Sequence, residues 1–579
     1  MTTSRSLPIP SRHRQLTVLV AGEPIPTSQH LLSASIQNSV DRIASVRLVY
    51  QDGDAASGNF PLSTADTFMP GQMVEITAGT GNDSHSLFSG KVIRHSLKVR
   101  NNSAPQLIVE CRHAASQMTV RQNCNYFFDS LDSDVITTLL SDAEVMGNIE
   151  TTTVHHQQLV QYNASDWDFC LLRARANDRH LICRGNQVDL QSLNRHDPVI
   201  ELSFGAVILE ADLQIDSRMH FSSYQSHTWD ISEQQLNRVE GENPAESNAG
   251  NITDENLAEV FALDGKVLRH PALNDDEAHI WIKAKWRHQQ QNLISGRIKC
   301  EGIGSVNVGD TVSISGVGER FNGQAIVTGI RHQFDPTQGW KTHFQFGGIE
   351  PVEQLADKTA STDSTALIPG INGLHIGIVV SNEDPDNEYR IRVRMPLMAS
   401  DDEGTWARLA CLDAGPKRGS VFRPEIGDEV ILGFLNDDPR KAIILGMLHS
   451  SARPAPLQGS DDNHEKVLQT RSKMQWLFND DTVEMTLQTP KGNRLQLSED
   501  QKSVSLEDQH GNAIIMNEAG IQITSPKAIS VKSGTELTLN ADASVSAEAS
   551  TDLKLQGTKS AEISSSVMTK VKAPMVQIN

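Results

Sequence analysis

A mainly β chain whose C-terminal part is an intertwined triple-stranded β-helix is the fold class the sequence predicts, on three observations. Its last sixty or so residues keep an eight-residue beat: Ile521/Ile523, Ile529/Val531, Leu537/Leu539, Val545/Ala547, Leu553/Leu555 and Ala561/Ile563 are apolar pairs, each starting eight residues after the last. Short strand-like runs bounded by turn residues fill most of the remainder. The composition, with 5% aromatics, 39 Gly and 23 Pro, suits many short strands and turns better than large helical cores.

In chain order, residues 1–15 read as an N-terminal tail. Leu16–Val20, Ser45–Val49 and Met73–Ile76 alternate as strands, with a turn at Phe68-Met-Pro-Gly71 and a further strand at Leu87–Ile93, which together read as a small antiparallel barrel. Between residues 130 and 180 the period changes to that of helices. Asp132 and Ser133 are placed to cap a helix through Val135, Ile136, Leu139 and Leu140, and Ser165 to cap a second through Trp167, Phe169, Leu171 and Leu172. Strands resume at Leu181–Cys183 and Val188–Leu190, residues 232–256 read as an exposed polar loop, and a second strand-rich block runs from Leu293 to Gly348. Residues 351–370 are a polar linker. The block 371–450 alternates through Tyr389–Met395, Trp406–Leu409 and Asp428–Leu435, and about five strands in this length suit an OB-fold barrel. A Pro-containing connector, 451–464, leads to residues 465–579, where Met485/Leu487, Leu495/Leu497, Val504/Leu506 and Ile514/Met516 precede the regular octads and Gly492-Asn493 and Gly511-Asn512 mark tight turns.

An octad is too short to close a solenoid turn alone. Ordering eight residues costs roughly 8–16 kcal/mol, against about 3–6 kcal/mol returned by burying two apolar side chains, so ladder hydrogen bonds to neighbours must supply the difference. Three identical chains, each giving one side of a triangular prism, provide those neighbours. Ile521, Ile523, Ile529, Val531, Leu537, Leu539, Val545, Leu553, Leu555 and Ile563 are then the shared interior. A single-chain solenoid with three octads per turn is the alternative, and it has only two turns here, fewer than the three or so stacked units such arrays need.

The run Phe68–Gly71, Leu87–Gly90, Ser165-Asp-Trp-Asp-Phe169, Leu202–Gly205 and Gly318–Gly323, with Trp340 and Phe346-Gly347, resembles the hub domain of the Vgr family. Gly419–Val430, Asn436-Asp-Asp-Pro-Arg440 and Ile444–Gly446 resemble the barrel that precedes the needle in the same family, the spike proteins of type VI secretion and related phage-tail-like contractile particles. The resemblance implies a hub at 16–350 with two tube-like β-barrels, a homotrimer, an inner-tube protein docked at the hub end, baseplate proteins around it and effector cargo as a possible passenger. It further implies a PAAR-type tip protein on the needle end, where Met575, Val576, Ile578 and Asn579 would make the contact.

Other chemistry is not indicated. The net charge of −21 opposes nucleic acid and anionic membrane as partners. Arg390, Arg392 and Arg394 are expected to pair with a neighbouring chain's acidic groups or to stay solvated. Six scattered cysteines suggest neither a zinc ribbon nor a disulfide framework. Gly302-Ile-Gly304 and Gly316-Val-Gly318 lack the third glycine of a dinucleotide fingerprint, and no phosphate-loop, zinc-protease or serine-hydrolase motif occurs. His155 and His156 are expected to be solvated, with no third ligand at metal spacing. No catalytic residue, cofactor or metal is therefore expected. Some relatives carry an enzyme domain, but the connector is too short for an insertion and the chain ends inside its repeat, which argues for a non-enzymatic protein. Without an apolar leader in MTTSRSLPIPSRHR, the expected route is synthesis in the cytoplasm, assembly into a contractile particle, then release or injection. The alternative function is a trimeric tail-fibre or adhesin-like protein that binds a glycan through its barrel.

Overall fold

In a computed structural model the chain divides into two compact units, residues 1–449 and 450–579. Residues 16–578 are described, apart from 27, 55, 80–83, 219, 231–234, 245–249, 262–264, 271–272, 350–366 and 399–403. The N-terminal tail, most of the 351–370 linker and Asn579 thus lie outside the described residues.

The first unit is organised by strand Arg42–Gln51, whose alternation sends Ala44, Val46, Leu48 and Tyr50 into the core. It pairs antiparallel with Leu31–Ser39 on one side and Ser103–Arg112 on the other. Leu31–Ser39 also pairs with Gly323–Asp335, so the two strand-rich blocks share one 13-stranded sheet. The two blocks that the resemblance implies form tube-like barrels thus share a continuous sheet, which serves two cores. One core gathers Leu48, Tyr50, Phe68, Ile76, Leu107 and Val109 beneath the helices. The other gathers Leu202, Ile298, Val312, Val327, Phe344 and Phe346. Gly302 is explained by packing rather than by a cofactor: a Cβ there would lie 2.2 Å from the Trp340 ring.

Helices Asp132–Asp142 and Asp166–Ala176 form where the periodicity predicts them. Ser165 caps the second, its hydroxyl accepting from Asp168 N–H at 3.1 Å. The first starts differently: Leu131 occupies the cap position with no side-chain bond, because the Asp132 carboxylate is turned to buried partners described below. The 232–256 loop is also corrected. Gln235–Glu240 is a strand paired with Tyr224–Asp230, and Asp254–Ala258 is a short helix capped by Thr253. Val239 decides this, packing with Tyr224, Trp281 and Ile282 in a core of its own. Trp281 and Ile282 belong to helix Asp275–Gln291, which the sequence reading missed although Asn274 caps it and three acidic residues fill its first turn.

At the end of the linker Leu367 and Ile368 are buried against the hub, so that end is packed, not a free polar tether, and Ile371 just beyond it enters the barrel core. Strands His375–Ser381, Ile391–Arg394, Thr405–Leu409, Ala442–Met447 and Glu429–Phe434 close a five-stranded barrel around Val379, Val393, Ala407, Val430, Leu432 and Ile444. Val160 joins that core from strand His155–Ser165, and Thr405 donates to Gln158 at 3.0 Å, so barrel and hub pack as one body. The arginines find partners within the chain, contrary to expectation. Arg390 pairs with Asp384 at 2.8 Å and with Asp386, while Arg392 lies over both Trp406 and Phe128. The cysteines are free thiols, four of them buried.

Candidate functional site

The second unit begins as a meander of seven five-residue strands from Glu465–Gln469 to Gly520–Thr524, each antiparallel to the next. The turns fall where the glycines predict: Gly492 (φ +94°) donates to Thr489 O at 3.0 Å, and Gly511 (φ +85°) donates to Asp508 O at 3.2 Å. Register then sorts the side chains. Trp476, Leu487, Leu495, Leu506, Ile514 and Ile523 are successive cross-strand partners in one row. Phe478, Met485, Leu497, Val504, Met516 and Ile521 form a second row. Each strand contributes residues two apart to the two rows, so both lie on one face. The face between them in sequence carries Thr486, Gln496 and Ser505 at its centre.

Burial on this sheet is inverted. Thr486, Gln496 and Ser505 are 4–6% exposed, whereas Leu487, Leu497, Leu506 and Met516 on the apolar face are 39–52% exposed. The octads continue the pattern more strongly. Beyond Thr524 the described chain has no ladder of its own, and Ile529, Val531, Leu537, Leu539, Val545, Leu553, Leu555 and Ile563 are 55–77% exposed, with Ile521 and Ile523 similar on the last strand. At the end, Met575, Val576 and Ile578 are exposed as well. Covering such side chains is worth about 1.5–3 kcal/mol each, and an uncovered apolar face of this extent marks a contact surface. The candidate site is therefore a self-complementary apolar strip rather than a cleft.

Residues 11–335 match the Alg8 N-terminal domain, residues 375–449 the type VI secretion system/phage-baseplate injector OB domain, and residues 484–579 the phage baseplate V C-terminal trimerisation domain. The chain belongs to the Vgr family of spike proteins. It is similar to the type VI secretion system spike protein VgrG3 of Vibrio cholerae, 31% identical over 120 residues that cover 19% of this chain and 12% of the relative. It is also similar to VgrG5 of Pseudomonas aeruginosa, 28% identical over 148 residues that cover 25% and 17%. The matched region thus spans less than a fifth of these relatives' length. The fold resembles a chain of the Francisella PdpA-VgrG complex, with a TM-score of 0.52, 9% identity, and coverage of 89% of this chain and 80% of that one.

In this Vgr-family chain the joint between hub and barrel is a buried ionic network. Asp132 is completely buried and receives Arg173 at 2.5 Å, Asn177 Nδ2 at 2.7 Å and His156 Nε2 at 2.8 Å. His156 is therefore not solvated as expected; only His155 is exposed, because strand alternation turns the two neighbours to opposite faces. Arg173 also donates to Leu367 O at 2.7 Å and lies 3.6 Å from Glu277, in the first turn of the missed helix. Glu277 holds Arg440 at 3.0 Å, and Arg440 holds Asp438 at 2.9 Å beside His270 at 3.3 Å. The Asp438-Pro-Arg440 turn of the barrel motif is thus a plug seated in the hub. Among the described residues no cluster of three or more His, Cys, Asp or Glu is arranged to hold a metal.

Burial alone would push the Asp132, Glu277 and Asp438 carboxyls up, but Arg173 and His156, Arg440 and Arg173, and Arg440 and His270 respectively overturn it and hold all three below the usual carboxylate range. A carboxyl depressed in the folded state adds stability that is complete above its unfolded value near 4 and is lost as pH falls through the folded one. The urea midpoint of the first unit is expected to drop between pH 7 and pH 3; a midpoint that does not move would contradict the network's charge state.

Proposed function

We propose that this chain is the homotrimeric, non-enzymatic central spike of a contractile injection particle. The hub, residues 16–350, sits on an inner-tube protein within the baseplate, and the barrel, residues 371–450, leads to a needle at 465–579. The needle pierces a target envelope when the sheath contracts. Its end, through Met575, Val576, Ile578 and Asn579, carries a PAAR-type tip protein that covers three strand edges, and effector cargo travels with it. The action is mechanical: in a rod whose backbone groups bond to neighbouring chains, local opening must break several ladders together.

The observation that carries this reading is the inverted sheet and the octads after it, an apolar strip that only further copies of the same strip can cover with matching period. The ten octad residues named above are the proposed trimer interior. Membership of the family and the match of residues 484–579 to a trimerisation domain support it. Light scattering on the purified full chain should give three times 63.5 kDa. A monomer would sink the reading, and capture of sugars in place of tube and tip proteins would favour a glycan-binding fibre.

A further inference from the structure

We propose that Lys554, Glu562 and Lys570 form an interchain ion-pair ladder that sets the axial register of the three needle strands. This rests on the trimeric reading above and follows from symmetry once that is granted. Let each chain cross one side of the prism per octad. A threefold rotation then puts octad n of one chain on the side where octad n+1 of its neighbour lies, one strand spacing of about 4.8 Å further along the axis. Stacked neighbours on each side are therefore residues i and i+8 of different chains, parallel and in register.

Position two of each of the six octads lies between apolar positions one and three and faces outward, and Lys570 continues the eight-residue spacing between Thr569 and Val571. Read along the chain it holds Gln522, Ser530, Thr538, Ser546, Lys554, Glu562 and Lys570, each exposed in the single chain. Eleven charged residues lie between Lys527 and Lys572, and only two pairs of them stand eight apart: Lys554 with Glu562, and Glu562 with Lys570. Both are of opposite sign and at the same outward position. No like-charged pair stands at this spacing anywhere in the octads, which matters because an in-register parallel ladder sets equal positions side by side and makes like charges repel. Symmetry repeats the two contacts three times around the axis. A slip of one octad would set Lys554 beside Lys570, so the alternation opposes that slip.

The single-chain solenoid makes the opposite forecast. With three octads per turn, stacked residues are twenty-four apart and Glu562 faces Thr538, leaving the three charges without ionic partners.

The test uses the full chain and the urea concentration at which its light-scattering mass falls from three chains to one. Glu562→Lys, which sets three lysines in a row on each ladder, is expected to lower that midpoint by about 0.5 M or more at low salt, with the deficit shrinking at high salt as screening sets in. The sign-reversed variant Lys554→Glu/Glu562→Lys/Lys570→Glu is expected to recover the wild-type midpoint. A silent Glu562→Lys, or a reversed variant as weak as the single one, overturns the ladder while the trimer stands. A wild-type mass of one chain overturns the trimer itself, before any variant is made.

Discussion

Leu539→Asp is expected to abolish trimer formation while leaving the first unit folded. Leu539 occupies the third position of its octad and is 73% exposed in the single chain. In three copies its side chains converge on the axis, so the substitution would bring three carboxylates together in an apolar interior. Desolvation costs several kcal/mol per ion even after relaxation, and like charges at close range add to it. No compensating cation is available, because the interior positions of its own and the two adjoining octads are Leu537, Ile529, Val531, Val545 and Ala547. Thr538→Asp is the matched control. It adds the same charge one residue away on the outward face and should leave the mass at three chains. Light scattering separates the two, and a trimeric Leu539→Asp protein would remove this residue from the proposed interior. The first unit makes its own contacts up to residue 449, so its strand signal in circular dichroism should persist in both variants.

The second large effect belongs to the hub–barrel joint. Asp132→Ala leaves the Arg173 guanidinium, whose side chain is 1% exposed, facing Arg440 across Glu277 without its closest carboxylate. Breaking a buried pair by removing one partner costs roughly 3–5 kcal/mol, because the charge left behind is uncompensated. The urea midpoint of the first unit should fall accordingly. The double variant Asp132→Leu/Arg173→Met removes both charges and replaces them with apolar volume, and it is expected to recover much of the loss. A double variant as unstable as Asp132→Ala would mean that geometry, not charge balance, is what the pair supplies.

These two sites differ in how visible they are from sequence. The C-terminal repeat was legible because its information is periodic: alternation by two fixes which side chains share a face, and repetition by eight fixes how often the chain turns. Leu487, Leu497 and Leu506 could be placed on one face from spacing alone, and the turn glycines Gly492 and Gly511 set the strand ends. The helix capped by Ser165 and the barrel strands were legible for the same reason, as local signals within a few residues.

The joint was not. Asp132, His156, Arg173, Glu277, Asp438 and Arg440 are spread over some three hundred residues. Each reads locally as something ordinary: a helix cap, a solvated histidine, a surface arginine. Asp132 gave up its capping role and His156 its solvation because a buried ion is tolerable only beside its counter-ion, and which counter-ion is near depends on how distant segments pack. Helix Asp275–Gln291 hid behind a polar composition that makes sense only once Glu277, Arg287 and Gln289 are seen to be buried with partners.

The sequence by itself therefore determined the strand periods and the octad repeat with its apolar pairs, since these follow from the geometry of a single extended backbone. Only the tertiary structure decided that two strand-rich blocks share one sheet, that the arginines pair within the chain, and that the barrel is plugged into the hub by charge. Those outcomes depend on pairings between residues far apart in the chain, for which no local spacing carries a signal.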